Sequence, residues 1–502
     1  MFHNKWKSSI GLALAAAGGA VGLGNFLRFP GVAYLNGGGA FIVPYLICFF
    51  CIAIPLCLVE WSLGRGGGDQ GKHSSSGVIS TYVKNPLVRA VAGSLGTIIP
   101  VGVYFYYALI QAWCLSYLFV FLGISPYEIP KTSQESIQLF QKISKSSTNS
   151  FEFSFPLICI LLVSFANAGV ILKGLQEGVE RFCRWAVPLM IALAFVILIR
   201  VLTLGDVDGR SVDEALGFMW NPKGVSGKWT EFLSNPSVWL AAFGQVFFSL
   251  SVGFGILITY ASYVPKNKDI ALTALTASST NGFVEVCLGG LITIPATYLF
   301  LGPNFDATSS FSLGFLSLPL VFEKMWGLNQ LFGCLWFLML FLAAITSAIS
   351  MILPFLAFLQ DYFSLSYKKA AFLALAIMIS GNFLCYKWSF ENRLLDSLDF
   401  WIGTVAISLN ALVLCAIGAS LKSDYLYKLL SSSSAISIPK GITSFIKYVS
   451  LPLFLVVILM WLNSGVLSEI QETFNSFEQL LGFIAALSIF LVSAAIIYFK
   501  SR

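Results

Sequence analysis

The chain has 502 residues, of which 57% are hydrophobic and only 11% are Asp, Glu, Lys or Arg. Soluble proteins carry about 45–50% apolar and about 25% charged residues, so this chain has too little polar surface for a water-soluble protein. The net charge of +6 comes from 30 Lys and Arg spread over many short loops, which excludes a nucleic-acid-binding face. With a mean hydropathy of +0.82, the chain is predicted to be an all-α integral membrane protein in contact with lipid.

Twelve stretches of the chain are apolar over the roughly 20 residues that a membrane-spanning helix requires. The first resembles a secretory signal peptide, but its apolar run continues past Ala20 with no polar mature start, so it is predicted to remain as the first helix. In chain order the stretches cover residues 10–35, 40–63, 88–122, 153–172, 182–204, 236–262, 270–300, 330–360, 370–388, 397–420, 443–463 and 478–499.

The distribution of basic residues predicts the orientation of these helices. An even number of spans places both termini on one side. With cytoplasmic termini, 19 of the 30 Lys and Arg fall on the inner side, ten on the outer side and Arg28 within a span. Cytoplasmic loops carry the excess of positive charge, so a multi-pass protein of the plasma membrane (the inner membrane of a bacterial cell) with both termini in the cytoplasm is predicted. His3 and His73 lie in cytoplasmic segments, so no imidazole is available within the membrane.

Two of the twelve stretches contain clusters of glycine near their centres, in residues 17–25 and 248–255. Both clusters include the pattern Val-Gly-x-Gly, at Val21–Gly24 and Val252–Gly255. Each glycine costs a helix about 1 kcal/mol relative to alanine. Glycines that only let helices approach recur along one face, whereas these lie on all sides of one turn. The pattern therefore predicts that helices 1 and 6 are unwound at mid-membrane, around a site that uses their free peptide groups.

Several motifs, in this order along the chain, resemble those of the neurotransmitter:sodium symporter family, including its bacterial amino-acid transporters. They are Gly18–Pro30, residues 36–41 (NGGGAF), Gln245–Tyr263, Asn281 with Glu285, and Ala343–Ser347. The resemblance covers nearly the whole chain and implies a fold of five plus five inverted helices with two more. The first repeat would then comprise residues 1–204 and the second 236–420, with an extracellular loop at 205–235 and two additional helices in 421–502.

The resemblance implies two sodium ions, bound by the hard oxygen ligands that unwound backbone, hydroxyls and amides supply. For Thr346 and Ser347 the alternative is an ordinary hydrogen bond to the preceding helical turn. The first ion would be bound by Ala20, Asn25, Ser249, Asn281 and the substrate carboxylate. The second ion would be bound by Gly18, Val21, Ala343, Thr346 and Ser347.

The expected substrate is a hydrophobic amino acid. Relatives that carry monoamines have an Asp in the first broken segment, whereas Gly22 occupies that position here and leaves room for a carboxylate. The N–H groups of Leu23 and Gly24 at a helix end would also favour that carboxylate. The residues implied to bind the substrate are Ala20, Gly22, Leu23, Gly24, Val103, Tyr107, Phe248, Ser249, Ser251, Phe254, Ser347 and Met351.

Charged residues near the ends of the spans are expected to form gates. Arg28 would pair with Asp399 on the outer side and be braced by Gln245, although a snorkelling arginine is the alternative. On the inner side Asp361 and Tyr263 would contribute, but His3 replaces the arginine that commonly pairs with the aspartate. That leaves Lys5 or neutral packing as the open alternatives. Two buried acids complete the set: Glu60 would cap the unwound backbone of helix 6, and Glu285 would replace chloride.

The sequence therefore predicts sodium-coupled, chloride-independent import of a hydrophobic amino acid by alternating access. Proton return on Glu285 is a further hypothesis, since a carboxyl that loses a sodium neighbour binds a proton more readily. A membrane enzyme is disfavoured, because no arrangement for general acid–base catalysis is found within the spans. A sensor with a transporter fold, or a sodium-gated channel, remains an alternative. Oligomeric state is left open, a homodimer included.

Overall fold

The protein is described by a computed structural model that covers residues 5–144, 154–222, 235–302, 313–325, 328–388, 393–432, 434–464, 473 and 477–500. Within these ranges the regular structure is helical, apart from one isolated β-bridge between Val207 and Arg210. The architecture agrees with the all-α fold that the sequence predicts.

The helices that correspond to the predicted spans are labelled α1 to α12. Nine of them, within the described ranges, are long and apolar enough to cross a membrane, and the bent pair α1 makes a tenth. The other two are α4, a helix of 17 residues, and α6, which is divided into two pieces. Their bounds are α1 Ser9–Ala20 with Gly24–Leu35, α2 Gly39–Gly68, α3 Pro86–Phe121, α4 Phe155–Ile171, α5 Leu175–Leu202, α6 Pro236–Leu250 with Ile256–Ser262, α7 Ile270–Leu301, α8 Asn329–Phe363, α9 Tyr367–Lys387, α10 Leu394–Ser420, α11 Ile442–Asn463 and α12 Phe477–Lys500.

Shorter helices connect or flank the long ones. Val212–Trp220 lies in the segment predicted as an extracellular loop, and it begins with a capping box between Ser211 and Glu214. The Ser-x-x-Glu spacing of such a box is readable from sequence. The remaining short helices are Ser75–Tyr82, Ser133–Ser144, Leu318–Lys324 and Ser423–Ser431.

Burial differs strongly between the long helices. The two longest, α3 and α8, pack against each other and are mostly buried, whereas most apolar residues of α11 and α12 are partly or fully exposed. Leu459, Leu491 and Phe499 are among the exposed ones. Apolar side chains on this scale are stable only in contact with lipid or another apolar surface. The site described below is built mainly from α1, α3, α6, α7 and α8.

The break in α1 falls on the predicted glycine cluster. The first half ends at Ala20, Val21 is extended with φ −78° and ψ 101°, and the helix resumes at Gly24 with a bend of 46°. The break in α6 is longer and has a different backbone. Ser251, Gly253 and Gly255 have φ of 53°, 82° and 77°, in the left-handed region that glycine tolerates best. Both breaks lie on the Val-Gly-x-Gly segments.

Candidate functional site

Two buried amides and a buried hydroxyl form a chain of hydrogen bonds that links α1, α7 and α6 beside the break in α1. The Oδ1 atom of Asn25 accepts a hydrogen bond from the Gly22 N–H at 2.9 Å, and its Nδ2 donates to Asn281 Oδ1 at 2.8 Å. Asn281 Nδ2 in turn donates to Ser249 Oγ at 3.3 Å. All three side chains are buried, and Ala20 ends the first half of α1. The structure therefore brings together three of the four protein residues predicted to bind the first sodium ion.

A second group of oxygens lies where α1 packs against α8. Ser347 Oγ is 3.3 Å from the Gly18 carbonyl oxygen and donates to it. A Cβ atom on Gly18 would lie 3.3 Å from Thr346 Cβ, so the two helices touch at this point. Thr346 Oγ1 donates to the carbonyl of Ala343 at 3.0 Å, which is the back-bonding alternative, but a hydroxyl that donates keeps its acceptor lone pairs. Four of the five residues predicted for the second ion lie together, and Val21 follows Gly18 by three residues, at the end of the helical first half of α1.

The broken part of α1 also contacts α3. The Leu23 N–H donates to Tyr107 Oη at 3.2 Å, so the two groups expected to face a substrate carboxylate are bonded to each other. A carboxylate between them would exchange this bond for two charge-assisted ones, which are stronger. A Cβ on Gly22 would lie 2.8 Å from Tyr107 Oη and would also collide with Ser347 Oγ. A side chain at position 22 would therefore have to displace both hydroxyls.

The break in α6 completes the other side of this region. Ser251 Oγ donates to the Gly19 carbonyl at 3.1 Å and so joins the two breaks. The rings of Phe248 and Phe254 meet edge to face, with centroids 6.1 Å apart. The remaining predicted lining residues, Val103 and Met351, are buried. The side chains predicted to line the substrate region are thus apolar, apart from the hydroxyls of Tyr107, Ser249, Ser251 and Ser347.

Glu285 lies at the centre of a buried hydrogen-bond network that includes Asn281, one of the residues predicted to bind the first sodium ion. Its carboxylate accepts hydrogen bonds from Tyr45 Oη at 2.7 Å, Gln245 Nε2 at 2.5 Å and Asn281 Nδ2 at 3.2 Å. Gln245 Nε2 also lies 3.1 Å from the Gly24 carbonyl. These three donors are neutral, so the carboxylate sits in a site of hydrogen-bond donors that would suit an anion.

The expected ion pair of Arg28 with Asp399 is not formed between these two described side chains. Arg28 Nη1 instead donates to Gln245 Oε1 at 3.3 Å, and its guanidinium carbon lies 4.7 Å from the centre of the Phe248 ring. Asp399 accepts a hydrogen bond from Tyr106 Oη at 2.7 Å. The brace by Gln245 is present, but the two charged groups are each satisfied by a nearer partner, which is why the direct pair is absent.

At the predicted cytoplasmic end, Asp361 is bound by the loop after α2. Its Oδ2 atom accepts from the backbone N–H groups of His73 at 3.0 Å and Ser74 at 2.8 Å, and from Ser74 Oγ at 2.7 Å. Tyr263 stacks on the His73 ring at 4.3 Å. His3, the residue expected in place of a gate arginine, lies outside the described residues. In the part of the chain that is described, Asp361 is therefore held without a basic side chain from the start of α1.

The peptide of Gly253 in the α6 break is held from both sides. Its N–H donates to Glu60 Oε1 at 2.6 Å, as the sequence predicts, and its carbonyl accepts from Asn410 Nδ2, also at 2.6 Å. Sequence analysis missed Asn410. The available signal was an amide within the otherwise apolar stretch of α10, where an unpaired polar group is costly.

Comparison with known proteins gives consistent matches over most of the chain. The model of the "Sodium:neurotransmitter symporter family" matches residues 3–133 and 131–502. An uncharacterized sodium-dependent transporter of Methanocaldococcus jannaschii is 33% identical over 393 residues, which is 76% of this chain and 75% of that protein. One from Haemophilus influenzae is 30% identical over 476 residues, covering 90% and 96%.

The names of two further matches include an amino acid. Sodium-dependent nutrient amino acid transporter 1 of Drosophila persimilis is 29% identical over 463 residues, covering 82% of this chain and 67% of that protein. The crystal structure of MhsT in complex with L-phenylalanine superposes with a TM-score of 0.78 at 27% identity, covering 91% of this chain and 99% of that one.

Proposed function

The chain belongs to the sodium:neurotransmitter symporter family, whose members are secondary transporters and not enzymes, and from this premise we propose that it imports a hydrophobic amino acid together with sodium by alternating access. The observation that carries this proposal is the buried chain of Asn25, Asn281 and Ser249 beside the α1 break. Buried polar groups of this kind are retained in membrane proteins where they serve an ion or substrate pathway.

Two sodium ions fit the chemistry of the two oxygen groups. Amide, hydroxyl and carbonyl oxygens are hard ligands that suit alkali and alkaline-earth ions. The first group, Asn25, Ser249, Asn281 and the Ala20 carbonyl, is uncharged, so a substrate carboxylate would supply its negative charge. The second group, around Gly18 and Ser347, joins the first half of α1 to α8. The first ion would therefore hold α1, α6 and α7 together, and the second would hold α1 and α8 together, while the substrate is bound.

An amino-acid substrate is supported by Gly22 and by the two similar proteins whose names include an amino acid. Gly22 places no side chain beside Leu23 N–H and Tyr107 Oη, so a substrate carboxylate would bind them there, whereas an aspartate side chain at position 22 would collide with Tyr107 and Ser347. The amine would face the carbonyls of Ala20 and Phe248 and the hydroxyl of Ser251. The apolar lining by Val103, Phe248, Phe254 and Met351 favours an apolar side chain, as in the phenylalanine complex of MhsT.

Transport would be independent of chloride, because Glu285 supplies a fixed negative charge in the donor site of Tyr45, Gln245 and Asn281. With both termini in the cytoplasm, sodium entering the cell would drive import, since one charge crossing 100 mV contributes about 2.3 kcal/mol. The chain's own residues would hold and release the ligands; no covalent step is required. The repeats would be residues 1–204 and 236–420, with one broken helix in each.

The test is a thermal-stability screen of the purified full-length protein with each of the twenty amino acids, in sodium and in potassium. A bound ligand at a hundred times its Kd stabilises the folded state by about 2.7 kcal/mol, so we expect a rise in Tm for hydrophobic amino acids in sodium only. Equal stabilisation in potassium would contradict sodium coupling. Stabilisation by polar amino acids alone would contradict the substrate class.

A matched pair of serine variants makes the screen specific. Ser249→Ala removes one proposed sodium ligand, and losing one such bond costs about 1–1.5 kcal/mol, or about tenfold in sodium affinity. Ser116→Ala is the control, because Ser116 is equally buried in α3 but donates to the Ala112 carbonyl of its own helix and otherwise contacts Cys159 of α4. Uptake into proteoliposomes along a sodium gradient then separates a coupled transporter from a sensor or a channel.

A further inference from the structure

A buried carboxylate of α5 holds the chain just before α1. Glu180 is 2% exposed and accepts hydrogen bonds from the backbone N–H groups of Lys7 at 2.9 Å and Ser8 at 3.1 Å, and from Ser8 Oγ at 3.0 Å. Arg184 Nη2 donates to the same carboxylate at 3.0 Å and to Ser8 Oγ at 3.1 Å. Nothing in the sequence analysis assigned a role to this residue.

The local backbone is built to bring these groups together. The first turn of α5, Leu175–Glu180, is a π-helix, a local widening that is frequent at functional sites. In the same turn Gln176 Nε2 donates to the Lys5 carbonyl at 2.6 Å. A Cβ on Gly11 would collide with the Glu180 side chain, so glycine at position 11 is what lets the carboxylate reach the start of α1.

The electrostatics favour this contact. Ser8 is the N-cap of α1, since its side chain accepts from the Gly11 N–H, and the carboxylate lies at the positive end of the helix. Negative charge there is stabilising. A buried carboxylate also needs several donors to offset its lost hydration, and here they come mainly from Lys7 and Ser8. Separating α1 from α5 would leave Glu180 with Arg184 as its remaining partner.

The first half of α1 also forms one side of the second group of oxygens, at Gly18, Thr346 and Ser347. Gly18 faces α8 at Thr346, and its other near neighbours are Val187 and Cys183 of α5. Moving the start of α1 away from α5 would therefore open this group toward the predicted cytoplasmic end. The other polar bonds of the segment are the one from Gln176 to the Lys5 carbonyl and those of Trp6, which donates to the Tyr260 carbonyl at 3.0 Å and from its backbone to that of Tyr263 at 3.4 Å.

We propose that Glu180 is the positioning residue that keeps the cytoplasmic end of α1 closed against α5, and that breaking its bonds to Lys7 and Ser8 is a step of opening to that side. The inference rests on the proposed transport function. It places the closing contact between α1 and α5, whereas Asp361 is bound by the loop after α2. The carboxylate acts through the position of α1 and does not touch the substrate.

Cys183 provides a native reporter for this movement. Its thiol is buried and lies 3.5 Å from the position of a Cβ on Gly18, so it becomes accessible when α1 leaves α5. The experiment measures alkylation of Cys183 by N-ethylmaleimide in the full-length protein without substrate, in potassium and in sodium, with mass spectrometry of the cysteine peptides. Cys114, which is buried in α3, is followed in the same samples as a measure of general unfolding.

Glu180→Gln is the test variant, and Glu177→Gln is its control. Glu177 lies in the same π-turn, but its side chain is 66% exposed and pairs only with Arg181 at 3.5 Å. Hydrogen bonds to a charged group are worth about 1 kcal/mol more than neutral ones. We therefore expect Glu180→Gln to label Cys183 about five- to tenfold faster in potassium, with Cys114 unchanged and Glu177→Gln equal to wild type.

Wild-type labelling of Cys183 in a folded Glu180→Gln protein would overturn the proposal, and so would parallel increases at Cys183 and Cys114. If Glu180→Gln does not fold, Ser8→Ala removes one donor instead and is expected to raise Cys183 labelling about threefold. Unchanged labelling there would equally overturn it. Cys183 labelling is measured without substrate, so it does not depend on the amino-acid screen. A failed screen would contradict the proposed transport function, whereas unchanged labelling would contradict the role of Glu180.

Discussion

At the scale of single residues, Gly22 lies where α1 packs against α3 and α8. Its backbone N–H is bonded to Asn25, and the space in front of it is bounded by Tyr107 of α3 and Ser347 of α8. The backbone there is not in the left-handed region, so the glycine is required for space and not for conformation. One methyl group is enough to fill that space.

Gly22→Ala is therefore expected to weaken amino-acid binding strongly while leaving the fold intact. Its Cβ would lie 2.8 Å from Tyr107 Oη, and overpacking of this kind typically costs about 1–3 kcal/mol, or about ten- to a hundredfold in Kd. Titration of the sodium-dependent rise in Tm measures the effect. Gly169→Ala in α4, where a Cβ meets nothing within 4 Å, is the control. Unaltered affinity in Gly22→Ala would show that the carboxylate binds elsewhere.

Glu285→Ser is expected to make sodium-dependent binding require chloride. The substitution removes the fixed charge but keeps Tyr45, Gln245 and Asn281 as donors for an anion of similar charge. Binding is compared in chloride and in gluconate at constant sodium. Glu285→Gln serves as the control, because it is also neutral but fills the space that chloride would need. Anion-independent binding by the serine variant would contradict the proposed role.

Motif residues and gate residues were not equally predictable from sequence. Asn25, Asn281 and Glu285 point into the interior, where few partners are available, so position along the chain predicts their contacts well. Arg28 and Asp399 are longer or less buried side chains with several partners in reach. In the structure Arg28 contacts Gln245 and Phe248, and Asp399 contacts Tyr106. Which partner each side chain takes depends on its rotamer and not on the sequence motif.

At the scale of elements, the two breaks show how far a glycine pattern reaches. The pattern predicts where α1 and α6 stop, because glycine lowers the stability of the helix there. It does not predict that α6 loses five residues of helix and α1 only three. That difference depends on tertiary contacts: Glu60 and Asn410 bind the Gly253 peptide, whose groups would otherwise be unpaired in an apolar surrounding.

Glu60→Ala is expected to destabilise the protein by about 1–3 kcal/mol, the cost of leaving the buried N–H of Gly253 without an acceptor. Glu60→Gln should lose less, because its amide oxygen still accepts. The comparison is made by denaturant or thermal unfolding in detergent. Ser62→Ala on the same helix is the control, since its hydroxyl bonds only to the Leu58 carbonyl. Equal stability of all three variants would mean that the hydrogen bond between Glu60 and Gly253 does not contribute to the free energy of unfolding.

At the scale of the whole molecule, His73 joins α2, α6 and α8 in the loop at the predicted cytoplasmic end. Burial lowers its pKa below the ordinary value of 6.5, against the opposing effect of Asp361, and Lys5 lowers the pKa further. Tyr263 stacks on the ring and Ser262 Oγ lies 3.1 Å from Nδ1. The folded protein therefore favours the neutral imidazole.

This shift predicts a loss of stability on acidification. Below about pH 6.5 the unfolded chain binds a proton at this histidine that the folded chain resists, so the free energy of unfolding falls as the pH is lowered toward the folded-state pKa. His73→Gln removes this contribution and should give a shallower decrease of Tm between about pH 7 and pH 5.5. Parallel pH profiles of the variant and the wild type would show that His73 does not titrate between the two states.

The backbone angles of the two breaks imply that α1 and α6 resist bending to different degrees. In α1, no residue of the break has a positive φ among those described, and Val21 differs from a helical residue mainly in ψ. The torque needed to straighten or tilt this segment is therefore small. In α6, Ser251, Gly253 and Gly255 would each have to cross the barrier at φ near zero, while side chains of α2 and α10 pin the middle peptide. We therefore expect α1 to bend at its break more readily than α6, although the two breaks share one sequence pattern.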